Sequence, residues 1–567
     1  MRAHRGIAAS FVVLLAAGLA ACAPALPETV VPGSEITVGW TGELTSTNAV
    51  ASPTASNVDI AEMIRAGFGD VIDGAFVPDE GFGTASIVSD DPFTVRYDLA
   101  EPSWSDGIPL DAADLMLGWA GASGYFPKQE EDAEAPVEPQ LVEEAPVVDE
   151  FARTIEVTFA QPEVDWQQAV PVPVPAHVIG QKAFGVDDAM EAKQAVIRAI
   201  READTAALQK IAEVWHTGFE LADPADLPAE MLVSSGPFML DEIVAEEAGQ
   251  SVTLVPNTAY RGLMTPQISR VHLVPPGDDP VGAIGQVLDV AQVAPTSSNR
   301  APIHDLERKD FAVTTTHDGT LWSLLLKPSG VFAQSQARIA FIHAVPVRPM
   351  VDRGAGEWAS AYTASTSMVA PPGSRAYDIV NEDSGFAQLL GTPGDDPALQ
   401  RQISGVPEGA PVCVLYDRRS EFAIGAFAAL RDSAAESGWN AVDCGSDDFE
   451  AALAQGRWDA VITRVPIPQT PEQIAVQWGS GGSASVTGHA DADRDALITE
   501  LAQTTDVYEA REVLALIEAS IVRAAVALPI AANPRVTIVD KDVTGVTPRN
   551  GVAAPLTYGA VQWAAVP

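Results

Sequence analysis

Hydrophobic and polar residues alternate through much of the first third of the chain. The alternation predicts a strand at Ile36–Trp40 and two more within Thr84–Leu99, joined by a turn at Ser89–Pro92. Apolar residues at helical spacing predict a helix over Asp59–Phe68, and Asp111 stands where an N-cap would begin another helix. Strands and helices are therefore mixed from the start of the chain.

Longer helical patterns follow. Asp187–Phe219 carries an apolar stripe at helical spacing, and Asp204 within it predicts the cap of a second helix. Gln334–Met350 begins as a helix that we expect Pro346 and Pro349 to end, because proline lacks a backbone N–H and clashes with the preceding turn. Stripes of this kind indicate packing against a core.

The second half of the chain has the pattern of a strand, a helix and a strand. Pro411–Tyr416 and Trp439–Cys444 have strand patterns, and Phe422–Ser437 between them has helical spacing. This βαβ unit predicts two parallel, adjacent strands. Further on, Asp491–Val526 is helical and Pro529–Val566 is β-rich. The fold class predicted from the whole pattern is mixed α/β.

Cys413 and Cys444 fall on the two strands of that βαβ unit. Neighbouring strands lie about 4.8 Å apart, so a disulfide between them is geometrically possible. Such a bond would stabilise the fold by roughly 3–4 kcal/mol in the chain-entropy model. The alternative is a pair of small buried hydrophobes. We favour the disulfide.

The N-terminal segment has the composition of an export signal. Arg2 and Arg5 precede the apolar stretch Ile7–Ala21, which is shorter than the roughly 20 residues that a spanning helix needs. Leu19–Cys22 resembles the bacterial lipobox, in which the cysteine is lipidated and becomes the new N-terminus. We therefore expect a signal peptide at 1–21, lipidation of Cys22 and a flexible tether at 22–34, with the body exported and anchored to the outer face of the cytoplasmic membrane. A plain secretory signal is the alternative.

Composition and charge narrow the function classes. The chain has 567 residues, of which 47% are hydrophobic, so it can bury a sizeable core. Its 33 basic and 77 acidic side chains give a net charge of −44, which repels phosphate backbones and argues against a nucleic-acid partner. The run 128–150 holds nine acidic residues and one lysine. We interpret this run as a solvated loop, with a cation site as the weaker alternative.

The motifs of familiar catalytic and metal sites are absent from the sequence. There is no phosphate-binding loop, no HExxH and no GxSxG, and the eight histidines are scattered without ligand-like spacing. We therefore predict a protein that is not an enzyme and that has no cofactor and no metal. An exported hydrolase with an unrecognised nucleophile is the alternative.

One cluster resembles a known family. Residues 100–110 with Ala113 and Asp114 are similar to the WSDG-x-P-hydrophobic-x-A-x-D signature of bacterial extracellular solute-binding proteins, family 5, which serve ABC importers of the dipeptide, oligopeptide and nickel type. Weaker family features follow in the expected order: Ser235–Phe238, Asn257–Gly262, Ala337–Ala340, Gly456–Ala460 and Pro529–Ile530. The resemblance covers nearly the whole mature chain.

The resemblance implies a two-lobed, periplasmic-binding-protein-like fold with a central hinge and cleft, and an extra subdomain in lobe I. We expect lobe I at 35–305 with the subdomain inserted at about 49–232, lobe II at 306–522, and a return to lobe I at 523–567. The implied function is a membrane-anchored monomer that captures a peptide or peptide-like solute and delivers it to the permease subunits of an ABC importer.

The candidate ligand-binding residues are Glu43 and Asn48 after the first strand, Trp322 in lobe II, and Arg464 and Trp478 near the hinge. Arg464 stands near where peptide-binding members often carry an acidic residue that pairs with the ligand's amine. Its guanidinium could instead meet a carboxylate or phosphate, and a surface ion pair is the equal alternative. The runner-up function is an envelope lipoprotein that regulates cell-wall glycolipid assembly and has a degenerate cleft.

Overall fold

The computed structural model describes residues 26–565, apart from 73–74, 128–143, 150–152, 222–227, 389–395 and 552–555. The predicted signal peptide, Cys22 and most of the acidic run 128–150 lie outside the described residues. Within the described ranges, no helix is both long enough and apolar enough to cross a bilayer.

The first part of the chain begins the main sheet and then leaves it for an inserted subdomain. The elements, in chain order, are β1 (Val31–Gly39), α1 (Ala55–Ile64), β2 (Gly69–Ile72), β3 (Ala75–Pro78), β4 (Gly83–Asp90), β5 (Phe93–Leu99), α2 (Ala112–Ala122), β6 (Val147–Asp149), β7 (Thr154–Thr158), α3 (Ala176–Phe184), α4 (Ala189–Arg201) and α5 (Thr205–Thr217). The chain then returns to the main sheet through β8 (Phe238–Glu246), β9 (Gly249–Pro256), β10 (Ile268–Val274), α6 (Pro280–Ala283), β11 (Val290–Val293) and α7 (Arg300–Glu307).

The inserted subdomain packs α2 to α5 against a four-stranded sheet of order β4-β5-β7-β6 around its own core. The predicted hairpin is present, because β4 pairs with β5 in antiparallel fashion. Both predicted caps are confirmed: Asp111 forms a capping box with Asp114, and Asp204 accepts the backbone N–H groups of Ala206 and Ala207 at the start of α5.

The family signature builds the scaffold of this subdomain. Trp104 is fully buried and donates its indole N–H to Asp114 Oδ1 at 3.2 Å. Asp114 Oδ2 accepts Lys193 Nζ at 2.8 Å, and Asp111 Oδ2 lies 3.2 Å from the same ammonium. Gly107 turns the chain with φ +87°, a conformation that favours glycine. The signature therefore positions the strands and helices of the subdomain around a buried ion-pair network.

The second half of the chain forms the other end of the main sheet. Its elements are β12 (Ala312–Leu326), α8 (Ser335–Ala344), α9 (Val347–Ala355), β13 (Thr363–Ala364), α10 (Tyr377–Asp383), α11 (Pro397–Ile403), β14 (Pro411–Tyr416), α12 (Glu421–Glu436), β15 (Asn440–Asp443), α13 (Phe449–Gln455), β16 (Ala460–Pro466), α14 (Pro471–Trp478), α15 (Ala492–Gln503), α16 (Val507–Ala524), β17 (Ala527–Val539), β18 (Val543–Thr544) and β19 (Ala564–Ala565). The predicted βαβ unit is confirmed, since β14 and β15 pair in parallel on either side of α12. The structure contains a disulfide between Cys413 and Cys444, with 5.6 Å between their Cα atoms.

The main sheet runs through both ends of the molecule in the order β15-β14-β16-β12-β17-β11-β1-β10-β9-β8. Only β12 and β17 belong to both ends. The first half of β12 pairs with the second half of β17, beside β11, and the second half of β12 pairs with the first half of β17 and with β16. Their ladder is interrupted between His317 and Leu321. Two crossing strands with a broken register form a hinge between lobe I and lobe II.

Separate cores lie on the two sides of this hinge. One group of buried side chains surrounds β1, β8, β9 and β10 in lobe I, and two groups cover the two faces of the sheet in lobe II. The predicted lobe boundaries, 305/306 and 522/523, lie before β12 and β17 begin. The chain therefore passes from one lobe to the other within these two strands.

Four element boundaries differ from the sequence predictions. The helix predicted at Asp59–Phe68 spans Ala55–Ile64, because Thr54 caps it and the chain is extended at the following Arg65. Pro349 does not end a helix: it lies in the first turn of α9, where a missing N–H costs little. The helical stretch after Asp491 is two helices, α15 and α16. The β-rich C-terminus is mainly the single long strand β17.

Candidate ligand-binding cleft

The candidate site lies where the carboxyl ends of β14 and β16 meet the hinge. These strands run parallel, and the loops beyond the carboxyl ends of parallel strands are the usual ligand position in open α/β sheets. Arg464 lies near the end of β16, and Asp417 and Arg419 follow directly after β14. Trp322 on β12 faces Arg464 across the antiparallel ladder. The site is therefore formed by residues from distant parts of the chain.

Three aromatic rings are stacked along the lobe II side. The ring centroids of Trp322 and Phe422 are 4.5 Å apart, and those of Phe422 and Tyr362 are 4.8 Å apart with an interplanar angle of 15°. Phe422 is fixed at the start of α12, which Ser420 caps, and Trp322 Nε1 donates to Asn533 Oδ1 at 2.8 Å. We call Trp322, Phe422 and Tyr362 the aromatic stack. Trp322 and Phe422 are buried in the lobe II core and Tyr362 is half-buried, so the stack forms a rigid aromatic support beneath Arg464.

Arg464 lies over one end of the aromatic stack. Its Cζ atom is 5.7 Å from the centroid of Trp322, and half of its side chain is exposed. Among the described residues, the hydrogen bond that this side chain makes is a long one, 3.4 Å from Nη1 to Asp318 Oδ2. That carboxylate also accepts Asn533 Nδ2 at 2.7 Å and both donors of Thr320. Arg464 therefore has donors left over for an anionic ligand.

A row of charges continues from Arg464 into lobe I. Arg535 on β17 lies within the electrostatic reach of both Asp318 and Asp59, and burial lowers its pKa. Burial raises the pKa of Asp59. Burial and the neighbouring Asp70 raise the pKa of Glu62 to about 8. Positive and negative groups thus follow each other along the hinge instead of forming a field of one sign.

Ion pairs also order the loop after β14. Arg419 contacts both carboxylate oxygens of Asp417, at 3.0 and 3.1 Å. This hydrogen bonding lowers the pKa of Asp417, and the charge of Arg464 adds to the effect. Asp417 is therefore ionised at neutral pH and lies close enough to Arg464 to orient it.

Among the described residues, the two lobes touch at several places, including the indole N–H of Trp358 in lobe II, which donates to Thr296 O in lobe I at 2.8 Å. Ser297, after β11 in lobe I, donates its backbone N–H and its hydroxyl to the carboxylate of Glu421 on α12, at 2.9 and 2.8 Å. On the subdomain side, Val164 N–H donates to Ala502 O at 3.0 Å at the end of α15, and Gln503 donates to Gln161 at 3.0 Å. These contacts define a closed arrangement of the lobes.

The structure brings two of the five predicted ligand residues together, Trp322 and Arg464. Asn48 is fully buried and its amide is used, because Nδ2 donates to Trp215 O at 2.8 Å and Oδ1 accepts two backbone N–H groups. Trp478 is buried in the lobe II core at the end of α14. Asn48 therefore holds the fold, whereas Trp478 is about as buried as Trp322 and stays a prediction. Glu43 is exposed after β1, with its backbone N–H on Ser56 Oγ.

The sequence predictions did not include Phe422, Tyr362, Asp318 or Asn533. A usable signal existed for Phe422, since it follows a polar loop directly after the carboxyl end of a predicted parallel strand. Tyr362 is more than 25 residues in sequence from every predicted ligand residue. Asp318 and Asn533 lie on the crossing strands β12 and β17. The fold alone brings these three side chains to Arg464. Among the described residues, no cluster of three or more His, Cys, Asp or Glu side chains could hold a metal ion.

The chain resembles several known proteins over nearly its whole length. An uncharacterized lipoprotein of Mycobacterium tuberculosis, Rv2585c, is 26% identical over 490 residues, which cover 83% of this chain and 82% of that protein. The periplasmic EDTA-binding protein EppA has a TM-score of 0.74 at 17% identity, covering 95% of this chain and 98% of its own.

Two further solved structures share the fold. The ABC transporter substrate-binding protein CtaP of Listeria monocytogenes has a TM-score of 0.70 at 16% identity, covering 94% of this chain and 100% of its own. The oligopeptide-binding protein AppA of Bacillus subtilis, solved with a nonapeptide, has a TM-score of 0.60 at 12% identity, covering 94% of this chain and 98% of its own. The predicted two-lobed binding-protein fold is confirmed.

The sequence profile described as bacterial extracellular solute-binding proteins, family 5, matches residues 84–398, which is more than half of the chain. This family consists of binding proteins and not of enzymes, and it works with ABC transporters. The predicted resemblance is therefore confirmed, and the chain belongs to the bacterial extracellular solute-binding proteins of family 5.

Proposed function

We propose that this protein is a membrane-anchored receptor that captures a peptide or peptide-like solute between its lobes and delivers it to the permease of an ABC importer. The observation that carries the proposal is Arg464, which is half exposed over Trp322 at the hinge and has one long hydrogen bond to Asp318. The carboxylate of the solute binds this guanidinium.

The chemistry of the site favours a carboxylate over other anions. A guanidinium offers parallel N–H donors that match the two oxygens of a carboxylate. A phosphate would bring at least as much negative charge close to Asp318 and Asp417, which already surround Arg464. A peptide has a single terminal carboxylate followed by apolar and polar groups, and these groups fit an aromatic surface that accepts varied side chains.

Two of the solved structures with this fold hold a ligand of this class. AppA of Bacillus subtilis holds a nonapeptide, and the protein DppA of Helicobacter pylori holds the peptide STSA. The mycobacterial relative bears the name lipoprotein, which supports lipidation of Cys22 and a place on the outer face of the cytoplasmic membrane. We expect the mature protein to act as a monomer.

Calorimetry with peptide pools tests the proposal. The protein is used from residue 22 onward with Cys22→Ser, and it is titrated with pools of short peptides that have either a free or an amidated C-terminus. We expect heat from the free-carboxylate pool and binding about tenfold weaker or absent for the amidated pool, because one charge-assisted contact contributes about 1.5–3 kcal/mol. No heat from any pool would overturn the peptide assignment.

A pair of arginine variants separates the site from general effects of charge. Arg464→Gln should weaken binding of the free-carboxylate pool about tenfold and leave the amidated pool unchanged. Arg511→Gln is the matched control, because Arg511 also lies over an aromatic ring, 5.4 Å from the centroid of Tyr508, on α16. Equal losses in the two variants would contradict a carboxylate site at Arg464.

A further inference from the structure

Lobe II contains a cavity of about 670 Å³ beside the aromatic stack. It lies between the end of α8, α9, β13 and the start of β17. Its walls are largely apolar, and the side chains that give it this character are Val345, Val347, Val351, Phe386 and Leu528.

The cavity opens to solvent on the side of Ser360 and Ala364, which are exposed. A volume of about 670 Å³ falls within the range of small-molecule pockets, roughly 300–1,000 Å³. Polar side chains, among them Arg348, Asp352 and Thr366, also line the cavity, but most of the wall is apolar and favours an apolar group.

Tyr362 connects this cavity to the cleft. It lines the cavity, and its ring stacks on Phe422, the middle ring of the aromatic stack. The charges of Arg464, Asp318 and Glu421 act on its hydroxyl group, although burial is the main reason that its pKa is raised to about 12. One side chain therefore faces both the charged hinge and the apolar cavity.

The spacing of the stacked rings sets the distance that a solute must span from Arg464 to the cavity. Ring separations of 4.5 and 4.8 Å lead from Trp322, under Arg464, to Tyr362 at the cavity. An extended peptide advances about 3.3–3.6 Å per residue, so about three residues cover this distance. A guest bound by its carboxylate can thus place a group from that part of its chain in the cavity.

We propose that the lobe II cavity receives an apolar group, an acyl chain or a large hydrophobic side chain, of the solute whose carboxylate binds Arg464. This inference rests on the proposed function and deepens it, since it names an amphipathic carboxylate as the substrate class. The occupant is a part of the captured solute and not a second, independent molecule.

A series of carboxylates that differ only in chain length tests the inference. The probes are acetyl-, hexanoyl- and decanoyl-glycylglycine, each titrated into the mature protein by calorimetry. We expect all three to bind and the affinity to rise at least about tenfold from acetyl to hexanoyl, because each buried methylene contributes up to about 0.8 kcal/mol. Flat affinity across the series, with the acetyl probe still bound, overturns the cavity inference and leaves the proposed function standing.

Blocking variants locate the acyl chain. Ala364 and Ser360 line the cavity and are exposed, so Ala364→Trp and Ser360→Trp can fill it from the surface without disturbing a core. In each variant, affinity should no longer rise with acyl-chain length, and the acetyl probe should bind as it does to the unaltered protein. Ile403→Trp is the control, because Ile403 is exposed on α11 and does not line the cavity.

The remaining outcomes are decisive as well. If affinity still rises with acyl-chain length in both blocking variants, the acyl chain binds elsewhere, which overturns the inference. Arg464→Gln should weaken all three probes by the same factor, and full affinity for the decanoyl probe in this variant would show that the carboxylate does not bind Arg464, which also overturns the inference. If neither the acyl probes nor the peptide pools bind, the proposed function fails and this inference falls with it.

Discussion

Glu421 in lobe II accepts two hydrogen bonds from Ser297 in lobe I, one from the backbone N–H at 2.9 Å and one from the hydroxyl at 2.8 Å. Glu421 is also in the first turn of α12, where the helix dipole favours a negative charge. Its immediate neighbour Phe422 is the middle ring of the aromatic stack. The contact at the rim of the cleft and the middle ring of the aromatic stack are therefore adjacent in sequence.

Replacing Glu421 should weaken ligand capture without unfolding the protein. Glu421→Ala removes the acceptor of two hydrogen bonds between lobes, so we expect affinity for the free-carboxylate peptide pool to fall roughly tenfold. Calorimetry measures the loss. Glu436→Gln, an exposed change at the other end of α12, should leave the affinity unchanged. Equal affinity in Glu421→Ala and the unaltered protein would contradict a role for this contact in closure.

Closure should become weaker as the pH rises through neutrality. Burial and the nearby Asp165 raise the pKa of Glu163 to about 7, and its neighbour Val164 donates to Ala502 across the cleft. We predict that contact between the lobes contributes to the burial that holds this proton, so that the contribution to closure is complete below the ordinary pKa of 4.5 and is lost as the pH rises through about 7. Peptide affinity should be a few-fold higher near pH 6 than near pH 8.

Glu163→Gln provides the control for that pH dependence. Glutamine has the shape of the protonated acid and cannot ionise, so the part of the pH dependence caused by Glu163 should disappear. Affinity is measured by calorimetry at both pH values in the variant and the unaltered protein. An unchanged pH dependence of affinity in the variant would show that ionisation of Glu163 does not affect closure.

The buried ammonium under the family signature should be essential for stability. Lys193 is almost fully buried and is paired with Asp114 at 2.8 Å and Asp111 at 3.2 Å. Lys193→Met leaves the fully buried Asp114 and the half-buried Asp111 without a counter-ion, which costs about 3–5 kcal/mol. Urea unfolding measures the loss, and the exposed Lys210→Met should have almost none. Similar midpoints for the two variants would contradict a structural role for the network.

Glu518 makes the stability of lobe II sensitive to pH. This buried carboxylate accepts Ser367 Oγ at 2.7 Å and the N–H groups of Met368 and Val369. Burial nevertheless raises its pKa to about 7. Its stabilising contribution is therefore complete below pH 4.5 and is lost as the pH rises through about 7, so the protein should be less stable near pH 8 than near pH 6.

Two substitutions at Glu518 separate the charge from the hydrogen bonds. Glu518→Gln keeps an acceptor without the charge and should flatten the pH dependence of the free energy of unfolding. Glu518→Ala leaves the three donors in the core without an acceptor and should cost about 1–3 kcal/mol for each unsatisfied group. Denaturant unfolding at both pH values gives these numbers, and a harmless alanine variant would refute the assignment.

The sequence predicted those parts of the fold that depend on local patterns. The βαβ unit and the caps at Asp111 and Asp204 were predictable because strand alternation and N-cap chemistry act over a few residues. Pro349 was misjudged because the effect of a proline depends on whether it falls inside a helix or in the first turn of the next one.

The cleft was predictable only in part. Trp322 and Arg464 were found through the family resemblance, and the antiparallel ladder of β12 and β16 places them opposite each other. Asn48 and Trp478 have suitable side chains for a binding site, but tertiary packing buries both. Tyr362 escaped detection because its contacts with Phe422 and with the lobe II cavity depend on how lobe II folds, and no local pattern encodes them.

The measurement that tests the central claim most directly is the distance between the lobes with and without a ligand that Arg464 can bind. Spin labels at the exposed positions Val244 in lobe I and Ile403 in lobe II report this distance by double electron–electron resonance. The account predicts a shorter and narrower distance distribution with the free-carboxylate peptide pool and no change with the amidated pool. A distribution that stays the same with both pools, or that shortens equally with both, would contradict it.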